Sequence, residues 1–422
     1  MSPYEQYKDR VLAAIDVAEL TEFARGMVAI PSQCAIEPEE PCASYVRSKL
    51  AELGMQTELQ MVQPGRPNAL GYFKGKGGGP SLMLNGHLDT TPKHMDLVGL
   101  DGVTVKDGVM RGHGARNMKA GVAAMIMAAG AIIRAKVPTK GDLTVAGVMG
   151  HHEGSLGTYH IIDKGMVPDY AIVPEPTDLA VRTIQTGNVT LRVNIRGRSG
   201  STGNMGMYRR YGDLTSLPVD ANEKAMALAH ALKAIQWTYT PYSPLPDLPL
   251  LHLGGILTGS GPTYLPGGFI ADNARLTVHA LTVPGQTAQS VKADIERVIA
   301  GLQRNDSDLN ATVEVMAKGP GRDIRPPLQV PNDALVAQAL CRAHKQVTGQ
   351  EAVLGAVVPN SYFGCDAQPL SVAGCKAVSY GPASHAYVWE NRAVVKVESM
   401  VNCARAIALA SLEVLTSPKN GK

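Results

Sequence analysis

Three apolar runs constrain this chain more than any other feature: "PSLMLNGHLD" (80–89), "AGVAAMIMAAGAII" (120–133) and "DLTVAGVMGH" (142–151). The first and third are short and continuous, as strands covered on both faces are. The middle run has the length and alanine content of a buried helix, ends at Arg134 and is too short to span a bilayer. A strand, a crossover helix and a second strand make a βαβ unit with parallel strands. With "AIDVAELTEFARGMVAI" and "EPCASYVRSKLAELG" at helical spacing before it, the pattern predicts an α/β domain, a mostly parallel sheet flanked by helices.

After Gly187 the texture changes. "NVTLRVNIRGR" and "ADNARLTVHALTV" alternate as half-exposed strands do, and "ANEKAMALAHALKAI" is amphipathic. Past "KGPGRDIRPP" the helix, strand and helix of the first domain's style return, in "NDALVAQALCRAHKQVTG", "KAVSYG" and "VESMVNCARAIALASLEVL". The expected organisation is one domain of residues 1–187 and 318–422, interrupted by a smaller α+β domain at 188–317. The strand "NVTLRVNIRGR" is a candidate edge of that inserted domain, half-exposed by its alternation.

The 422 residues, 45% apolar, bury a large core, and a formal charge of +3 without a Lys/Arg block leaves no case for nucleic acid or a membrane surface. A small-molecule substrate is expected. The first twenty residues lack a basic segment followed by an apolar stretch, so a cytoplasmic location is expected. Six scattered cysteines have neither zinc nor disulfide spacing and read as reduced thiols.

Five segments carry groups suited to chemistry where strands end: "NGHLDTTP" (His87, Asp89), "RGHGARNMKAG" (Asn117), "HHEGSLGT" (His151, His152), "VPEPTD" (Glu175) and "YGPASH" (His385). Ligands of α/β sheets gather beyond the carboxyl ends of the strands, so these segments can share one crevice. In "HLD" the carboxylate can take a ring hydrogen of His87 and leave the other nitrogen for a metal. Read singly, each residue has a plainer role. Asn117 suits a helix cap, Glu175 a solvated loop, His385 a satisfied core histidine, and Arg209 and Arg210 a solvated pair.

Taken in order, the five segments resemble the aminoacylase, acetylornithine deacetylase and carboxypeptidase G family of metallohydrolases, whose motifs are "GHxD", "GRGxxDMKGG", "EExGSxG", "EPT" and "GPG…aH"; "FGCDAQPL" also resembles the family's "gxTDaRxl". The resemblance covers nearly the whole chain. It implies that His87 and Glu175 hold one metal, with Asp89 orienting His87. Asn117 falls at the family's bridging aspartate, His152 at a glutamate ligand, His385 at the histidine of a second site, and His151 at the glutamate that acts as general base.

Three carboxylates of the family are therefore neutral groups here. Two dications about 3.5 Å apart repel by roughly 20 kcal/mol at an effective dielectric near 20, and a neutral Asn117 offsets none of it. One metal per chain is expected, manganese by preference and zinc as the alternative, held by His87, Asn117 and Glu175 or by Asn117, His152 and His385. In the inserted domain Ser201 stands where the family has an oxyanion-supporting histidine, and Leu281 where it often has an arginine; Arg209 and Arg210 are candidates for a substrate carboxylate.

The reading that follows is a metal-dependent hydrolase that cleaves a C–N bond with metal-activated water, His151 acting as base. The departures are similar to a manganese-dependent branch of the family, the 5-nitroanthranilate aminohydrolases, which implies deamination of an aromatic amine that carries a carboxylate. An N-acyl-amino-acid amidohydrolase or carboxypeptidase and a catalytically inactive binding homologue are the alternatives. The resemblance also implies that residues 1–187 and 318–422 are the catalytic metal-binding domain and 188–317 a lid and dimerisation domain, which pairs two chains as a homodimer through "NVTLRVNIRGR" as candidate edge.

Overall fold

The computed structural model describes residues 2–92, 102–201, 203, 206, 210, 217–259, 268–316, 324–384 and 393–419. Two compact units emerge, Met1–Gln185 with Leu328–Lys422, and Thr186–Pro327.

The first unit is a mixed nine-stranded sheet. Leu82–His87 lies between Leu143–Val148 and Tyr170–Val173 and is parallel to both, as the βαβ pattern requires; Lys376–Ser379 continues the parallel centre beside Tyr170–Val173. The flanking pairs are antiparallel apart from Leu354–Ala356, which lies parallel beside Val181–Gln185. A hairpin of Gln56–Gln63 and Arg66–Phe73 joins one side, and Val181–Gln185 with Leu328–Gln329 the other. Helix Ala120–Arg134 buries every residue from Ala120 to Ile132. It packs on Val397–Thr416, a helix long and apolar enough to cross a membrane but largely buried against its neighbours. Uniform apolar character belongs to a helix covered on all sides.

A carboxylate joins this helix to the layer outside it. Glu19 accepts two hydrogen bonds from Arg134, at 2.6 and 2.7 Å, and one of 2.7 Å from Lys49. The Arg134 hydrogen bond is the main reason its carboxyl is lowered from 4.5 to about 2, against burial and with help from Lys49. A carboxyl depressed in the folded state stabilises above its unfolded value, and that contribution disappears as pH falls from about 4.5 toward 2. Glu19→Gln should thus cost about 1 kcal/mol at neutral pH, discounted for partial exposure, and nothing near pH 2. Melting curves of both proteins across this range check it; a gap that stays constant with pH would contradict the assignment.

The second unit is an antiparallel sheet in the order Leu250–Gly259, Asn273–Thr282, Gly187–Arg196, Asn310–Val315, with helices Ala221–Leu232 and Ala288–Gln303 packed on it. Ile324–Arg325 also pairs with Gly187–Arg196, which carries the unit on to Pro327. Gly187–Arg196 is bonded on both sides and is not the pairing edge expected from its alternation. Alternation reports that one face is covered; it says nothing of whether neighbours flank the strand. The strands at the margins are Asn310–Val315 and Leu250–Gly259, the latter with Leu250, Ile256 and Leu257 exposed.

Candidate metal centre

His87 is the last residue of strand Leu82–His87, and the turn carrying His151 and His152 follows strand Leu143–Val148, its parallel neighbour in the sheet. Adjacent parallel strands that end together put their following loops side by side. The rings show it: those of His87 and His151 stack at 4.4 Å and 10°, and His152 meets them edge-on at 5.1 and 5.2 Å.

Asp89 holds this arrangement, by a route different from the expected one. Nδ1 of His87 donates to the main-chain carbonyl of Asp89 at 2.7 Å, while the Asp89 carboxylate lies 3.6 Å from that nitrogen. The carboxylate accepts instead the backbone N–H groups of His151 and His152, each at 3.0 Å. Two converging amides offer a buried anion more than a single ring hydrogen does. Burial alone would raise the Asp89 carboxyl; the neighbouring imidazoles, His87 foremost, and the His152 amide outweigh that and hold it below the usual carboxylate range.

A carbonyl can only accept, so Nδ1 of His87 carries the hydrogen, and in the neutral ring Nε2 presents a lone pair. That nitrogen lies 3.1 Å from Asn117 Oδ1 and 3.7 Å from Glu175 Oε1. His151 Nε2 lies 4.0 Å from the same Glu175 oxygen. Glu175 is 2% exposed, and its Oε1 is buried without a hydrogen-bond partner among the described residues. Lone pairs of one carboxylate, one amide and two imidazoles thus converge with no donor of their own set between them, which suits a divalent cation. His87, His151 and Glu175 form one group able to hold an ion, and His87, Asp89 and His152 another.

The plainer roles of two residues fall away. Helix Ala120–Arg134 has Lys119 at its N-cap position and no side-chain cap, and Asn117 sits in the irregular segment before it, its amide oxygen toward His87. Glu175 is buried, not solvated. It is gripped between two glycines: a Cβ on Gly121 would stand 2.1 Å from Pro174 O, and one on Gly381 2.3 Å from Glu175 O. Gly121→Val should cost about 1–3 kcal/mol by overpacking and weaken metal binding by moving Glu175. Paired melting and manganese titration check this, and unchanged affinity would show that the segment yields without carrying Glu175 along.

His385 and Arg209 lie outside the described residues. Ser201 and Arg210 belong to the second unit; Ser201 pairs with Phe269 and its hydroxyl accepts from Gly203 N at 3.2 Å. Sequence reasoning left out the residues that brace the histidine turn. Arg66 bridges the buried Glu39 and Glu153, Glu39 accepts from Gly150 N, and Asn68 accepts from Met149 N. It also left Asp366 without a role, although "FGCDAQPL" had drawn attention as a motif. Asp366 Oδ2 is 2.9 Å from His151 Nδ1.

Residues 83–413 match the family model described as peptidase family M20/M25/M40. The chain belongs to that family. Among its relatives is N-formyl-4-amino-5-aminomethyl-2-methylpyrimidine deformylase of Bacillus subtilis (strain 168), 26% identical, with 92% of this chain and 93% of the relative aligned. Another is acetylornithine deacetylase of Myxococcus xanthus, 24% identical over 89% of this chain and 92% of the relative. In fold, the M20 chain is similar to the di-peptidase Dug1p of Saccharomyces cerevisiae, with TM-score 0.72 at 14% identity, covering 99% of this chain and all of that one. With membership comes the enzyme class: this M20 chain is a metal-dependent hydrolase of C–N bonds.

Proposed function

We propose that the enzyme replaces the amine of an aromatic amino-carboxylate by hydroxyl, with 5-nitroanthranilate the most specific candidate: Ar–NH2 + H2O → Ar–OH + NH3, giving 5-nitrosalicylate. The observation that carries this reading is the charge of the cluster. Among the described residues Glu175 is the one carboxylate directed at the converging lone pairs, because Asp89 serves two backbone amides and Asp366 serves His151. A site with one anion suits one dication, whereas a bridged pair needs carboxylates between the ions.

His87, Asn117 and Glu175 would hold the metal, manganese by preference and zinc as the alternative, with His152 and His385 as the other candidate ligands. When bound, the ion supplies a Lewis acid that makes water acidic near neutral pH. Nε2 of His151 accepts the water proton as oxygen adds to the ring carbon bearing nitrogen. The negative charge then spreads into the ring, so a carbonyl-type oxyanion support is not required, consistent with Ser201 in place of the family's histidine. Rearomatisation expels the amine, which takes a proton and leaves as ammonia. Residues 1–187 and 318–422 would form the catalytic domain and 188–317 the lid, Arg209 and Arg210 being the candidates for the substrate carboxylate.

The relatives named a deformylase and a deacetylase favour a second reading, removal of an acyl group from nitrogen. Manganese-supplemented enzyme incubated with 5-nitroanthranilate and, separately, with N-acetyl amino acids distinguishes the two. Ammonia release with a change in ring absorbance supports the first; acetate release supports the second. We also infer a homodimer through the inserted unit, with Leu250–Gly259 as its edge, and light scattering checks that.

A further inference from the structure

Asp366 and His151 lie 215 positions apart in the chain, yet the carboxylate Oδ2 and the ring Nδ1 are 2.9 Å apart and both side chains are buried, at 0% and 5% exposure. We propose that Asp366 is a positioning residue: it holds the His151 ring in the orientation and tautomer that aim Nε2 at Glu175 while the ring face lies on His87. Only its catalytic consequence rests on the function proposed above.

The direction of the bond follows from its chemistry. An ionised carboxylate accepts and does not donate, so the hydrogen sits on Nδ1 and the neutral ring keeps its lone pair on Nε2. That lone pair faces Glu175 Oε1 at 4.0 Å, and the ring plane lies against His87 at 4.4 Å. Free imidazole has two accessible tautomers, and a fixed acceptor on one nitrogen selects between them. Without it, the ring of His151 would present a hydrogen toward the cluster for part of the time, and such a ring can neither accept a proton from water there nor offer a lone pair to a cation.

Asp366 is itself held still. It precedes the short helix Ala367–Val372, and the residue before it, Cys365, donates its backbone N–H to Gln368 Oε1 at 3.0 Å and its thiol to Gln185 Oε1 at 3.1 Å. The guanidinium of Arg182, 1% exposed, donates to the carbonyl of Asn360, and the Gln185 amide to that of Phe363. The turn bearing Asp366 is thereby bound to strand Val181–Gln185 of the sheet, so the carboxylate meets the ring from a rigid element.

The test starts with metal-free protein carrying 15N-labelled histidine at about pH 8.5, where an ordinary imidazole is neutral. His151→Gln identifies the His151 signals. Hydrogen on Nδ1 and a bare Nε2 are expected in the wild type, and loss of that preference in Asp366→Ala, with Asp366→Asn as the near-isosteric variant should the alanine chain not fold. Hydrogen on Nε2 in the wild type, or the same pattern after Asp366 is replaced, overturns the proposal. Turnover supplies a second readout. Asp366→Ala should lower kcat about 10²-fold with KM within about threefold, yet less than about twofold more in a His151→Gln background, because both changes remove one function. Additive losses overturn it. Absence of wild-type turnover on 5-nitroanthranilate would sink the functional reading alone, since the spectra still decide the role of Asp366.

Discussion

Replacing His151 with alanine should lower turnover by about 10²-fold or more while the protein keeps its metal. The magnitude is that of removing a general base. The selectivity follows from the geometry, since His87, Asn117 and Glu175 remain to hold an ion, linked by separations of 3.1 and 3.7 Å. Steady-state kinetics and elemental analysis of the same preparation check both halves. Near-wild-type turnover would pass the role to His152, whose ring lies 5.2 Å from that of His151. Loss of metal together with activity would make His151 a ligand, as its membership of one ion-holding group with His87 and Glu175 allows.

Chelation should abolish activity altogether, and added manganese should restore it at one ion per chain. With Glu175 as the one anion among the described residues aimed into the cluster, attraction for a dication is modest, and imidazole and amide ligands hold a hard ion less firmly than carboxylates do. Asn117→Asp should raise the affinity and allow a second ion to bind, because it introduces charge 3.1 Å from His87 Nε2, where the family resemblance implies a bridging aspartate. Manganese titration of both proteins, read by metal analysis after gel filtration, makes the comparison. Two tightly held ions in the wild-type chain would overturn the single-metal proposal, and with it the claim that these neutral substitutions define the chemistry.

Part of this site was legible before any coordinates. Hydrophobic period placed His87, Asn117, His151, His152 and Glu175 beside strand ends, but read singly each had a plainer role, and it was the order of the five motifs, through the family resemblance, that marked them as site candidates. Asp366 was not assigned a role although its motif was noticed, because its partner is 215 residues away. Arg66, Glu39 and Glu153 carried no signal either: charged residues in a sequence read as surface until their burial is known.

The sequence by itself determined the α/β class, the parallel pairing around helix Ala120–Arg134 and the segments from which a metal centre could be built, since hydrophobic period and turn chemistry are properties of neighbouring residues. The tertiary structure alone decided which group each polar atom serves. The Asp89 carboxylate faces the amides of His151 and His152 instead of the His87 ring, and strand Gly187–Arg196 is central instead of marginal. Hydrogen bonds are short and directional, so their partners are set by the register and order of strands distant in the chain, about which a residue's own neighbours carry no information.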